Sequence, residues 1–173
     1  MKQAMKTLET GYVGLIYLLA IIAVILFFLI TAGIALEVFL RALGMPSIYG
    51  LVDFAEASIY AIAMLAAPWI QYHRAHVRVM VLPEALPPRA RYILELFTLT
   101  VCTVVCAILT YYAFDNFFVS VERDELIFGE LIFPEWYLQW QAPVAFLLLA
   151  VGFARDLVLA DPDAPPTYET AKE

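Results

Sequence analysis

The sequence predicts an all-α integral membrane protein: four transmembrane helices, a short interfacial segment after the first, and both termini in the cytoplasm. Three observations predict this. Of the 173 residues, 64% are hydrophobic, against about 45–50% in a soluble domain. The apolar residues fall into long uncharged runs separated by short charged loops, the pattern of a chain that crosses a bilayer repeatedly. Arginines and lysines gather in alternate loops, which sets an orientation.

The first run, Tyr12–Leu36, is "YVGLIYLLAIIAVILFFLITAGIAL", 25 residues without a charge. At about 1.5 Å per residue it crosses a core of about 30 Å with some tilt. Lys2 and Lys6 precede it, as they would a signal peptide. The run is longer than a signal h-region of about 7–15 residues, so it reads as a retained anchor.

Glu37–Glu56 follows, punctuated by Gly44, Pro46 and Gly50. It reads as the interfacial segment. Glu37 and Arg41 stand four apart with the acid first, the favourable order on a helix. The second span starts near Leu51 and ends near Tyr72. Asp53 and Glu56 lie in its first turns, where a helix N-terminus favours acids and no charge is forced to the bilayer centre. Pro68 kinks its last turns, and Trp69 and Tyr72 suit an interface.

A polar loop with "LPEALPPRAR" leads to the third span, about 94–116. Cys102 and Cys106 sit in it four apart, on one helix face. That is not the spacing of a redox or zinc pair, and they read as small apolar residues. An acidic loop runs from Asp115 to Glu135, and its Glu122–Glu130 stretch reads as a solvated turn, or as a contact for an external partner. The fourth span, about 136–157, opens on Trp136, Tyr137 and Trp140 and contains Pro143, which a spanning helix tolerates. Residues 1–160 thus form one four-helix membrane domain, and 161–173 an acidic, proline-rich disordered tail.

The second loop carries Arg74, Arg78, Arg89 and Arg91, and the N-terminus Lys2 and Lys6; the third loop has one arginine, Arg123. The positive-inside rule therefore places both termini and the second loop in the cytoplasm. Arg74, His76, Arg78, Arg89 and Arg91 become candidates for loop and lipid contacts at that leaflet.

Several chemistries are excluded or weakened. His73 and His76 are the only histidines. They are too close to ligate one haem iron from opposite sides, and among arginines they make a poor cation site. No GxSxG turn and no Gly-rich phosphate loop occurs. No basic face suits nucleic acid. The span middles are apolar, which fits a scaffold better than a pump or pore. The threonines within the spans are expected to bond back to their own helices.

The order of the weaker motifs resembles a family, the small membrane subunit of TRAP transporters (the DctQ type). The resemblance lies in Arg41 after the first span, and in Gly50 with Asp53 and Glu56 opening the second. It continues in His76-Val77-Arg78-Val79, "LPPRAR" before the third span, and "PEWYLQWQAPVAFLLLA" at the fourth. It covers about Leu36 to Leu157. Asp53 stands where glutamate is commoner, and Met80 where an aspartate is usual. The resemblance implies a non-enzymatic subunit, without a cofactor of its own, in a bacterial inner membrane. It implies partnership with a large elevator-type permease subunit that binds sodium and an organic acid. It also implies a periplasmic substrate-binding protein that docks outside. Glu37, Arg41, Asp53 and Glu56 would then face the large subunit or pair within the chain. The runner-up is a membrane-anchor subunit of an oxidoreductase complex.

Overall fold

A computed structural model describes residues 2–73 and 87–159, with residues 2–8, 88 and 91 described by backbone alone. Arg74, His76, Arg78 and the expected tail 161–173 lie outside the described residues. Helix α1 covers Lys2–Ala42, α2 Leu51–Tyr72 and α3 Pro88–Arg123. The strands β1 (Leu126–Phe128) and β2 (Ile132–Pro134) follow, then a single turn α4 (Trp136–Gln139) and α5 (Gln141–Val158). Four helical stretches, Glu9–Ala42, Leu51–Tyr72, Tyr92–Arg123 and Trp136–Val158, are long and apolar enough to cross a membrane.

Helix α2 runs from Leu51 to Tyr72 without interruption. Two helices are longer than the apolar runs that announced them. At 36 residues, α3 is about 54 Å long at 1.5 Å per residue. Asp115, Glu122 and Arg123 end the apolar run but not the helix, because charge limits membrane depth while a helix stops only where its backbone is turned. Asp124 makes that turn with φ 46°, a left-handed conformation that aspartate tolerates. Pro88 starts α3, at a position whose N–H would have no helical partner anyway.

Likewise α1 runs through Glu37 and Arg41, which the sequence assigned to the interfacial segment. It stops in a Schellman turn: Gly44 N–H donates to the Arg41 carbonyl (3.1 Å) and Met45 N–H to that of Leu40 (3.0 Å). Gly44 has φ 74°, which only a residue without Cβ adopts at no cost. The non-helical link is thus residues 43–50.

The last span is interrupted between α4 and α5 at Trp140. Pro143 supplies the reason: it has no N–H to donate to the Gln139 carbonyl one turn back. It sits in the first turn of α5. Pro68, fully buried in α2, leaves that helix continuous to Tyr72.

Consecutive spans run in opposite directions. One end of the molecule holds the start of α1 and the close of α2 and α5; the other holds the 43–50 link and the hairpin. In space α2 lies between α1 and α5, and α3 packs against α5. Leu19, Ala23, Leu65 and Leu148 form the core where α1, α2 and α5 meet. Ala61 and Ala145 are buried and Gly152 lies at the same junction; small residues let backbones approach in a bilayer. The buried positions of α3, Leu99, Cys106, Thr110 and Ser120, form one stripe of mostly small residues. Large side chains such as Phe97, Ile108 and Tyr111 point outward. In water this would be inside out, but next to lipid tails an apolar exterior costs nothing.

Candidate functional site

The hairpin end is assembled by carboxylates that accept backbone N–H groups. Glu37, in the last turns of α1, accepts the N–H of Ile48 at 2.8 Å through Oε2. Through Oε1 it accepts from the Arg41 guanidinium at 3.1 Å. Asp53, in the first turn of α2, accepts the N–H of Leu131 at 2.7 Å. Glu130, in the hairpin turn, accepts the N–H of Gly50 at 2.6 Å. The Tyr49 hydroxyl donates to the Glu130 carbonyl. Two loops about 80 residues apart in sequence are thus laced together.

Each bond has a local cause. Link 43–50 and the hairpin turn have backbone amides that no helix or ladder satisfies, and a carboxylate is the strongest neutralising acceptor for them. Gly50 carries φ 75°. A Cβ there would lie 2.6 Å from Leu131 Cγ, so glycine is required both for the turn and for the contact.

Of the four residues expected at this end, the structure brings Glu37, Arg41 and Asp53 into the laced region. They do not form one charge cluster: Glu37 and Asp53 serve different loops, and Arg41 only braces Glu37. Arg41 is 72% exposed and Glu37 14% by side chain. Glu56 is exposed, and among the described residues no bond reaches it. Glu130 was missed. Its acceptor role depends on a backbone amide far along the chain, which leaves no mark in residue spacing. Arg89 is exposed at the start of α3. Arg91 is described by backbone alone.

The opposite end is held by side chains. Tyr12 of α1 donates to the Leu148 carbonyl of α5 at 3.0 Å. Gln71 of α2, 3% exposed, donates to Asp156 of α5 at 3.1 Å. Both reach across Gly152, where a Cβ would lie 2.6 Å from the Tyr12 hydroxyl and 2.9 Å from Gln71 Cδ. Arg155 pairs with Glu9 at 2.7 Å and lies over the Tyr72 ring, 5.3 Å from its centroid. Sequence reasoning missed this set, because a tyrosine, a glutamine and a glycine near the ends of three separate spans carry no spacing that links them.

His73 caps α2 and is occupied at both nitrogens. Its Nδ1 lies 3.1 Å from the Trp69 carbonyl and its Nε2 3.1 Å from the Tyr17 hydroxyl. A carbonyl only accepts, so in the neutral ring Nδ1 donates there and Nε2 accepts from Tyr17. The ring also packs on Trp69 at 4.3 Å. Among the described residues no group of three or more histidine, cysteine or acidic side chains could hold a metal. Thr31, Thr98, Thr100, Thr103 and Thr110 each donate to the carbonyl four residues back.

The geometry is that of a braced membrane framework. The family model for the tripartite ATP-independent periplasmic transporters, DctQ component, matches residues 30–162. No individual curated protein matches the sequence. The matched stretch is well over half of the chain and contains the Glu37, Asp53 and Glu130 bonds, α2, α3 and α5. The chain belongs to the DctQ component family of the tripartite ATP-independent periplasmic transporters.

Proposed function

We propose that the chain is the small scaffold subunit of a sodium-coupled importer of organic acids in a bacterial inner membrane. It packs against a large elevator-type permease subunit and enlarges the fixed part against which the moving part slides. Sodium and substrate bind in the large subunit, so this chain needs no cofactor and catalyses no reaction. Both termini and the arginine-bearing second loop face the cytoplasm, following the arginine distribution. Arg74, Arg78, Arg89 and Arg91 then meet anionic headgroups, and His76 takes a packing or loop-bonding role. The hairpin end faces the periplasm, where the substrate-binding protein docks.

The observation that carries this reading is the family match over residues 30–162. The architecture supports it: broad apolar faces on α1 and α3 stand beside span middles that carry no charged side chain. A chain that carries substrate itself would need convergent polar groups near the bilayer midplane.

The test is an affinity pull-down of this chain from native membranes in mild detergent, with the partners identified by mass spectrometry. A large permease recovered in stoichiometric amount, together with sodium-dependent organic-acid uptake that needs both chains, is the expected result. Recovery of a flavin, haem or iron–sulfur subunit instead would overturn the reading in favour of an oxidoreductase anchor.

A further inference from the structure

The hairpin between α3 and α4 is apolar on both faces. Side chains alternate along a strand, and residues paired across the ladder share a face. The pairs Leu126↔Pro134 and Phe128↔Ile132 therefore lie on one face and Ile127↔Phe133 on the other. Ile127 and Phe133 are half-buried. On the outward face Leu126, Phe128 and Ile132 are 45%, 79% and 64% exposed.

A hairpin with one face in water alternates apolar with polar residues. Here all six strand residues are apolar. The charged residues of the segment sit outside the strands: Asp124 and Glu125 before β1, Glu130 in the turn, Glu135 after β2. Two strands alone are marginally stable in water, so the outward face needs an apolar environment as well as the inward one.

Helix α2 sets the depth of this face. The hairpin turn is bound to Gly50 and Asp53, where the charged first turns of α2 give way to the uncharged stretch from Ala57 to Tyr72. Aromatic residues suited to the headgroup region flank it. Tyr49 is exposed and bonded to the turn. Trp136 and Tyr137 follow β2 and stack at 4.1 Å. The hairpin is thus held at the level where the uncharged stretch of α2 begins.

We propose that Leu126, Phe128 and Ile132 form a lipid-contacting wedge, seated at the boundary between headgroups and acyl chains at the hairpin end. The occupant is the bilayer. The face carries no polar side chain to orient a protein partner, and it adjoins helices long and apolar enough to cross a membrane. The wedge fixes the depth at which α3 hands over to α5. It rests on the spans crossing a membrane and does not depend on the identity of any subunit.

The test uses a spin label at Phe128→Cys in the full chain carrying Cys102→Ala and Cys106→Ala, in phosphatidylethanolamine–phosphatidylglycerol vesicles. Collision with oxygen, which concentrates in lipid, is compared with collision with a water-soluble nickel chelate. Glu122→Cys is the aqueous reference and Ile108→Cys the lipid reference; both native positions are exposed. The expected result is an oxygen-to-nickel ratio at 128 shifted from the Glu122 value toward the Ile108 value. A label at Ile132→Cys should show the same shift, which guards against local distortion at one site. A ratio equal to that at Glu122 at both positions puts the face in water and overturns the proposal. Exclusion of both reagents means that protein, such as a second copy of the chain, covers the face, and overturns it equally.

Discussion

At the hairpin end, irregular backbone is tied down by carboxylates that accept its N–H groups. At the opposite end, three helices meet through their own side chains across a glycine. The first region is sensitive to losing an acceptor, because an amide is then left to find water. The second is sensitive to gaining volume, because nothing separates Gly152 from Tyr12 and Gln71. The contrast follows from what each end must satisfy: unpaired amides where the chain turns, and close contact where helices cross.

The sharpest way to break this contrast is to add volume at Gly152. Gly152→Val should destabilise the chain by about 1–3 kcal/mol through overpacking, with the Tyr12 and Gln71 bonds lost as well. Thermal unfolding in detergent measures it. An unchanged midpoint would mean that α1, α2 and α5 do not meet as described. Gly152→Ala should show the same effect at smaller size.

Removing acceptors at the hairpin end should cost less, since the Asp53–Leu131 bond is exposed and the Glu130–Gly50 bond only part-buried. Asp53→Ala and Glu130→Ala should each lower stability by about 0.5–1.5 kcal/mol. More tellingly, they should speed amide exchange at Leu131 and Gly50 respectively. Asp53→Asn keeps an acceptor oxygen and should fall between wild type and Asp53→Ala. Equal exchange in all variants would show that these carboxylates do not hold the loops.

Glu37 and Arg41 sharpen the comparison within one ion pair. Glu37→Ala removes the acceptor for the Ile48 amide and should cost about 1 kcal/mol. Arg41→Ala removes an exposed brace and should cost at the low end of about 0–1 kcal/mol. If Arg41→Ala instead abolished co-purification with a large subunit, Arg41 would act through a partner and not through Glu37. The smallest expected effect is at Glu9 and Arg155. A double-mutant cycle should give about 0.2–1 kcal/mol in low salt, shrinking as salt rises.

The helical path through the bilayer was legible in the sequence because one physical requirement governs it. Each crossing needs about 20 apolar residues, and "YVGLIYLLAIIAVILFFLITAGIAL" or "LFTLTVCTVVCAILTYYAF" meets it without reference to any other part of the chain. Helix ends were less legible. The predicted span 94–116 followed the apolar run, whereas the helix persists to Arg123 because no glycine or proline turns it. The hairpin went unseen: "LIFGELIFP" reads as an apolar interruption in an acidic loop, and only pairing across Gly129, Glu130 and Leu131 makes it two strands.

For the site, sequence by itself determined that Glu37, Arg41, Asp53 and Glu56 lie at the same end of the first two helices. A span of fixed rise delivers residues at its ends to a fixed level. It also determined that span threonines would turn back on their own helices, since that acceptor is always four residues away. Only the tertiary structure decided that Glu130 would bind Gly50, that Asp53 would bind Leu131, and that Tyr12 and Gln71 would close over Gly152. Those contacts join segments about 80 to 140 residues apart. Their partners are backbone groups or a missing side chain, which every sequence contains and no spacing distinguishes. Local rules fix where a helix crosses; which loop it then holds is decided when the helices pack.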